Sequence, residues 1–320
     1  MADRELVERL GAVVVGRRRE LELVVAALAA GRHVLLEGPP GTGKSTLLRA
    51  VARELGIGFA FVEGNAELTP ARLVGTFDPA RVLSDGYDPD VFVDGPLVTA
   101  LRDGSLLYVE EINRVPEETL NVLITVMSEH ELHVPRLGRV AATAGFRLVA
   151  AMNPFDAVGT ARISSAVYDR TCRLGVGYQD ADDEVAITRR VCGASSPESV
   201  ADVDWVNGVV DVVRRTRQHD DVRVGSSVRG AIDTVLVAHE LAALRGVDRE
   251  RVDRTLGLDA ALVALSGRIR LREGTNRVAE DVIREIWADV FAAPDADADG
   301  NGDGDDAGKA LAPQGASTGR

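Results

Sequence analysis

The sequence predicts an α/β fold, with a five-stranded parallel sheet covered by helices on both faces and a small all-α domain after it. Three observations carry that prediction. Short apolar runs alternate with helical patterns through the first two-thirds of the chain. A glycine-rich loop joins the first of these runs to a strong helical pattern. From about Ser196 the strand-like runs stop and only helical periodicity continues.

Taken in order, the opening MADRELVERL is charged and helical, without the continuous apolar core of a leader peptide. The expected strands are HVLLE (33–37), IGFAFVE (57–63), SLLYVE (105–110), FRLVAAM (146–152) and RLGVGY (173–178). Between the first two, Leu47, Leu48, Val51 and Leu55 recur at helical spacing. After the third, Pro116 and two glutamates suit a first helical turn, and Leu120, Leu123, Ile124 and Met127 form its apolar stripe. Two segments interrupt the alternation. Residues 64–104 form a long insert, and ELHVPRLGRVAAT reads as a hairpin before the fourth strand. The chain therefore divides into an α/β domain (1–195), a helical domain (196–293) and an acidic tail (294–320) that reads as disordered. The tail's Asp295-x-Asp297-x-Asp299-Gly300 opens like a calcium loop, but Asp306 stands where that loop closes with Glu, so the solvated reading is preferred.

Composition narrows the function classes. With 45% apolar and 27% charged residues the chain is a soluble globular type, and at 4% aromatics its core is built from Leu, Val, Ala and Ile. No run approaches the ~20 apolar residues of a membrane span. Cys172 and Cys192 are too few for a disulfide scaffold and read as ordinary thiols of a reducing cytoplasm. A net charge of −13 weighs against a nucleic-acid partner.

Two motifs carry chemistry. GPPGTGKST (Gly38, Pro39, Pro40, Gly41, Thr42, Gly43, Lys44, Ser45, Thr46) fits G-x-x-x-x-G-K-[ST] between a strand and a helix. Its glycines let backbone N–H groups face phosphate oxygens, and the helix opening at Lys44 adds its positive dipole end. Lys44 is expected on the β- and γ-phosphates and Ser45 on Mg²⁺. The second motif is SLLYVEEINR (105–114), an apolar strand that runs into Glu110 and Glu111. Beside a phosphate loop, Glu110 becomes the metal-side carboxylate, acting through water, and Glu111 the general base. Alone, the pair could equally be a solvated strand end.

Together these motifs resemble the AAA+ ATPases, and within them the MoxR-like branch. The likeness runs over roughly residues 12–292 and includes VVGRRREL, EGPPGTGKST, GPLVTALRDGSLLYVEEINRVPEETLNVLITVMSE, VAAMNP, YDR and GSSVRGAI. The branch spells the acidic motif closest to DEINR, so Glu110 is the one departure. Position by position, the resemblance implies that Asn153 is sensor 1, Arg170 the arginine finger (with Arg162 and Arg173 as alternatives) and Arg229 sensor 2, near a helix start capped by Ser226 or Ser227. Val15 and Gly16 fall on the segment that packs near adenine. The 64–104 insert and the hairpin match the branch's ring-facing elements, and Phe77, Tyr87 and Phe92 are either partner-gripping or packed within the insert.

The resemblance further implies a Mg²⁺-dependent ATPase working as a hexameric ring. Its task would be chaperone-like remodelling of a client protein such as a metalloenzyme, with a von Willebrand factor A domain partner. The acidic segment is similar to members tied to carbon monoxide dehydrogenase maturation. A DNA-directed motor, a nucleotide-gated binding module with little hydrolysis and a small-molecule kinase are the rival readings.

Overall fold

The computed structural model describes residues 4–154, 163–200, 202–247 and 252–292. The tail and Arg162 therefore lie outside the described residues. α1 (Arg4–Val13) and α2 (Arg18–Ala29) lead into β1 (His33–Glu37), whose five residues are all buried. Complete burial is what an uninterrupted apolar run in a central parallel strand produces. α3 (Lys44–Glu54) carries the chain back to β2 (Phe59–Glu63).

The insert folds as α4 (Pro70–Val74), β3 (Gly75–Phe77), α5 (Pro79–Asp85), β4 (Phe92–Asp94) and α6 (Pro96–Asp103). β3 and β4 pair antiparallel, with Phe77 opposite Phe92. Phe77 meets both Tyr87 and Phe92 edge-on, at 5.1 Å between ring centroids. The guanidinium of Arg136, from the hairpin, lies 3.6 Å over Tyr87. The aromatics thus pack on one another within the insert, while Tyr87 stays exposed at 51%. The insert also exposes Leu83 and Val93.

β5 (Leu106–Glu110), α7 (Glu117–Glu129), the hairpin β6 (Glu131–Val134) and β7 (Gly138–Ala141), and β8 (Arg147–Met152) follow, and then α8 (Ser165–Arg170) and β9 (Thr171–Gly175). The sheet order is β2-β5-β8-β1-β9, and all its pairs are parallel. The hairpin appears where expected. The fifth strand starts at Thr171 rather than 173. An edge strand is buried on fewer sides, so Thr171 and Cys172 need not be apolar. One apolar cluster (Leu107, Val109, Leu123, Leu148) fills one face of the sheet, and a second (Leu36, Leu47, Leu48, Tyr108, Val149) fills the other.

α9 (Ala181–Ser195), α10 (Val203–Thr216), β10 (Val222–Val224), α11 (Val228–Arg245), α12 (Arg254–Leu265), β11 (Arg270–Leu271) and α13 (Ala279–Val290) complete the body around a third cluster. Cys192 of α9 belongs to that cluster and Val185 packs against it. The unit is helical except for one addition to the expected pattern: β10 and β11 pair as a two-stranded antiparallel ribbon. Among the described residues no helix is long and apolar enough to cross a membrane.

Candidate active site

β1 delivers the chain to Gly38, whose N–H donates to the Met152 carbonyl at 3.1 Å. A Cβ at Gly38 would stand 2.0 Å from the Val176 carbonyl oxygen, so backbone packs directly on backbone there. Gly41 and Gly43 take φ values of +76° and +82°, the left-handed region that favours glycine. α3 then begins at Lys44, leaving its first-turn N–H groups without intrahelical partners. Lys44 Nζ donates to the Gly38 carbonyl at 3.0 Å and the Pro39 carbonyl at 2.9 Å. Burial lowers its pKa to about 8; Glu110 opposes that drop, while Arg229 and Arg17 reinforce it. A buried ammonium held by its own loop's carbonyls, beneath a helix N-terminus, fits a triphosphate that would take over those donors.

The two adjacent glutamates point to different partners. Ser45 Oγ donates to Glu110 Oε1 at 3.2 Å and lies 3.3 Å from the Tyr108 hydroxyl. Burial raises the Tyr108 pKa, so that hydroxyl stays protonated. Glu111 has φ +52°, a conformation that costs a non-glycine residue ~1–2 kcal/mol. At that turn Arg114 pairs with Glu111 at 3.1 Å. Gly64 braces both: its N–H donates to the Glu110 carbonyl at 2.7 Å, and a Cβ there would lie 2.4 Å from the Glu111 carbonyl oxygen. Ser45 and Glu110 offer the hard oxygens Mg²⁺ selects. The longer Glu side chain reaches Ser45 directly. When bound, the ion neutralises phosphate charge.

Asn153 follows the last residue of β8 and lines a cleft of about 630 Å³ between the phosphate loop (Pro39, Pro40) and the helical unit, including Arg229. Ser227 occupies the N-cap position of α11 but makes no capping bond. A Cβ at Gly41 would stand 2.1 Å from Ser227 Oγ, so this residue faces the phosphate loop instead. Ser226, the other expected cap, donates to the Ser227 carbonyl. Val15 and Gly16 are not among the cleft-lining residues. Gly16 packs against Asp183 of α9, whose pKa burial raises.

Arg170 ends α8, immediately before β9, and Thr171 is in register with His33 at the start of β1. The phosphate loop leaves the opposite end of β1 after Glu37, so Arg170 and Lys44 stand at opposite ends of one sheet. Arg170 donates to Ser128 Oγ at 2.5 Å and to the Ala166 carbonyl at 3.0 Å. Arg173, its alternative, is held by the buried Glu37 at 2.5 Å, and Tyr168 donates to the same carboxylate at 2.8 Å.

Sequence reasoning missed Arg17, Tyr108 and Arg217. Arg17 is only 4% exposed. Its guanidinium donates to the carbonyls of Thr42 (3.0 Å) and Gly177 (2.5 Å) and pairs with Glu20 at 3.2 Å. It thereby ties the phosphate loop to the linker after β9. On the far side of that linker, the Arg217 guanidinium lies 3.9 Å over the Tyr178 ring, donates to the Ser226 carbonyl at 2.6 Å and pairs with the buried Glu184 at 2.8 Å.

Residues 33–171 match the family model of the AAA domain, dynein-related subfamily. The uncharacterized protein YeaC of Bacillus subtilis is 28% identical over 270 residues, spanning 76% of this chain and 79% of that one. The gas vesicle ATPase GvpN1 of Halobacterium salinarum is 29% identical over 272 residues, 80% of this chain and 74% of its own length. A candidate ATPase from Cytophaga hutchinsonii, known from its crystal structure, superposes with a TM-score of 0.50 at 21% identity, over 88% of this chain and 92% of that chain. A variant of Thermotoga maritima RuvB gives 0.50 at 17% identity, over 78% and 70%. These two likenesses speak to fold alone.

Fold, phosphate loop and acidic strand end together define an ATP-hydrolysing P-loop protein of the AAA+ class. It is an enzyme, an ATPase that uses ATP with Mg²⁺. Residues 33–171 carry the AAA domain that this class shares.

Proposed function

We propose that the chain works as a ring, hexameric in the usual form of its class, and converts ATP hydrolysis into remodelling of a client protein. Lys44 and the loop amides hold the phosphates, and Ser45 and Glu110 serve the metal side. Glu111 takes the proton of the attacking water and Asn153 orients that water. Arg229 acts from the same subunit, Arg170 from its neighbour. The observation that carries this reading is the position of Arg170, across the sheet from Lys44 of its own chain. A cation so placed can reach a phosphate only in another copy.

The client is a metalloenzyme or comparable complex in a reducing cytoplasm, approached with a von Willebrand factor A domain partner. The likeness to a gas vesicle ATPase supports ATP-driven work on a protein assembly rather than on DNA. The test mixes Lys44→Ala subunits with Arg170→Ala subunits, each inactive alone. Recovered ATPase activity in the mixture supports sharing of sites. Wild-type turnover by Arg170→Ala alone refutes the finger, and DNA-stimulated hydrolysis revives the motor reading.

A further inference from the structure

The cleft beside the phosphate loop is strongly basic in a chain of net charge −13. Five arginines line it and no carboxylate does. Two of the five are engaged: Arg217 with Glu184 and the Ser226 carbonyl, and Arg268 with Asp233 and the Ala264 carbonyl. Arg223, Arg229 and Arg270 make no ion pair or hydrogen bond among the described residues. Elsewhere on this surface arginines commonly find carboxylates, as Arg102 does with Asp94 and Arg245 with Asp259. Three guanidiniums facing one cleft repel each other unless an anion joins them.

Two of these three come from the ribbon that sequence periodicity did not reveal. Val224 of β10 is in register with Arg270 of β11, and Val222 with Leu271. Val222 is 4% exposed and Ile269 5%, so strand alternation turns their neighbours Arg223 and Arg270 outward. The same ribbon continues through Gly225 into Ser226, Ser227 and α11. At Gly225 a Cβ would stand 2.6 Å from the Arg217 backbone. The tight fit at Gly225 fixes how the ribbon meets the helix that carries Arg229. The opposite wall is Pro39, Pro40 and Asn153, at the mouth of the phosphate loop.

We propose that Arg223 and Arg270 act with Arg229 as a fork for the terminal phosphate of a nucleoside triphosphate, and so set the discrimination of triphosphate from diphosphate. This rests on the reading of residues 38–46 as the ATP loop. The loop amides hold what a diphosphate also has, and Lys44 reaches both the β- and γ-phosphates. The fork reaches only the extra phosphate, whose dianionic oxygens match paired guanidiniums.

The test titrates a non-hydrolysable ATP analogue and, separately, ADP, each with Mg²⁺, into wild type, R223Q, R270Q and the double variant. Both positions are exposed, and matched thermal unfolding confirms that the variants fold. Each single change is expected to weaken the triphosphate roughly ten-fold, the scale of one lost charge-assisted hydrogen bond, while ADP affinity stays within about two-fold. R223K and R270K should recover less than half of the loss, because an ammonium keeps the charge but not the paired geometry of a guanidinium. Equal weakening of both nucleotides overturns the proposal, as does unchanged binding of both. Unchanged nucleotide binding with impaired assembly assigns the arginines to a neighbouring copy instead, and also overturns it. If wild type binds neither nucleotide while folded, the ATP-loop reading itself fails, an outcome separate from failure of the fork.

Discussion

Replacing Arg17 with Met removes a buried guanidinium while nearly preserving its length. Two carbonyls, of Thr42 and Gly177, lose charge-assisted hydrogen bonds at 3.0 and 2.5 Å. Each such bond contributes ~1.5–3 kcal/mol, so the gross loss is ~3–6 kcal/mol. Relief of the cation's own desolvation offsets part of it, and Glu20, which keeps some exposure, can turn to water. A net destabilisation of ~3 kcal/mol follows, a large share of the ~5–15 kcal/mol that holds a domain together. Urea unfolding measures that loss. Hydrogen exchange should show residues 38–46 and 176–180 loosening together, because one side chain holds both. Arg17→Lys should recover less than half, since a single ammonium meets the two carbonyls with poorer geometry. A loss under ~1 kcal/mol, or loosening of only one segment, would refute the account of Arg17 as a strut.

Two further outcomes concern the chemistry itself. Lys44 has a free-state pKa of about 8, below its unfolded value, so it is largely neutral above that pH. A bound triphosphate favours the charged form, and binding above pH 8 should therefore take up nearly one proton, with affinity falling as pH rises. Calorimetry in buffers of different ionisation heat reads this directly, and zero uptake at pH 9 contradicts it. Glu110→Asp should keep most ATPase activity through a water-bridged ion, whereas Glu110→Ala should lose about a hundred-fold and demand more Mg²⁺; equal rates in all three forms would remove Glu110 from the metal side.

Much of this was legible in the chain because buried parallel strands need uninterrupted apolar runs. HVLLE and LLYVE announce themselves, and the spacing of GPPGTGKST fixes a strand–loop–helix junction. The ribbon escaped notice because strands of three and two residues are too short to show alternation. Arg17 escaped because an arginine in the run RRR reads as solvated charge, and only tertiary packing buries one of the three. Tyr108 looked like one more core residue in LLYV; its hydroxyl matters only because α3 brings Ser45 beside it. The aromatics of the insert were noticed, but their packing was not legible. A local concentration of rings in a ring-poor chain allowed either gripping or packing, and only the fold brings Phe77 edge-on to both Tyr87 and Phe92.

The contacts at Gly38 and Gly64 have a consequence for how such a chain tolerates change. Both set the spacing between neighbouring segments by main chain against main chain, with no side chain interposed. Leucine, valine and alanine can exchange throughout the surrounding core without resetting these separations, because the separations do not depend on side-chain volume. The dimensions of the catalytic floor are thus insulated from sequence drift of the order that separates this protein from its 28%-identical relative. A saturation library should show it: the apolar positions flanking these two glycines would accept several residues each, and the glycines themselves none.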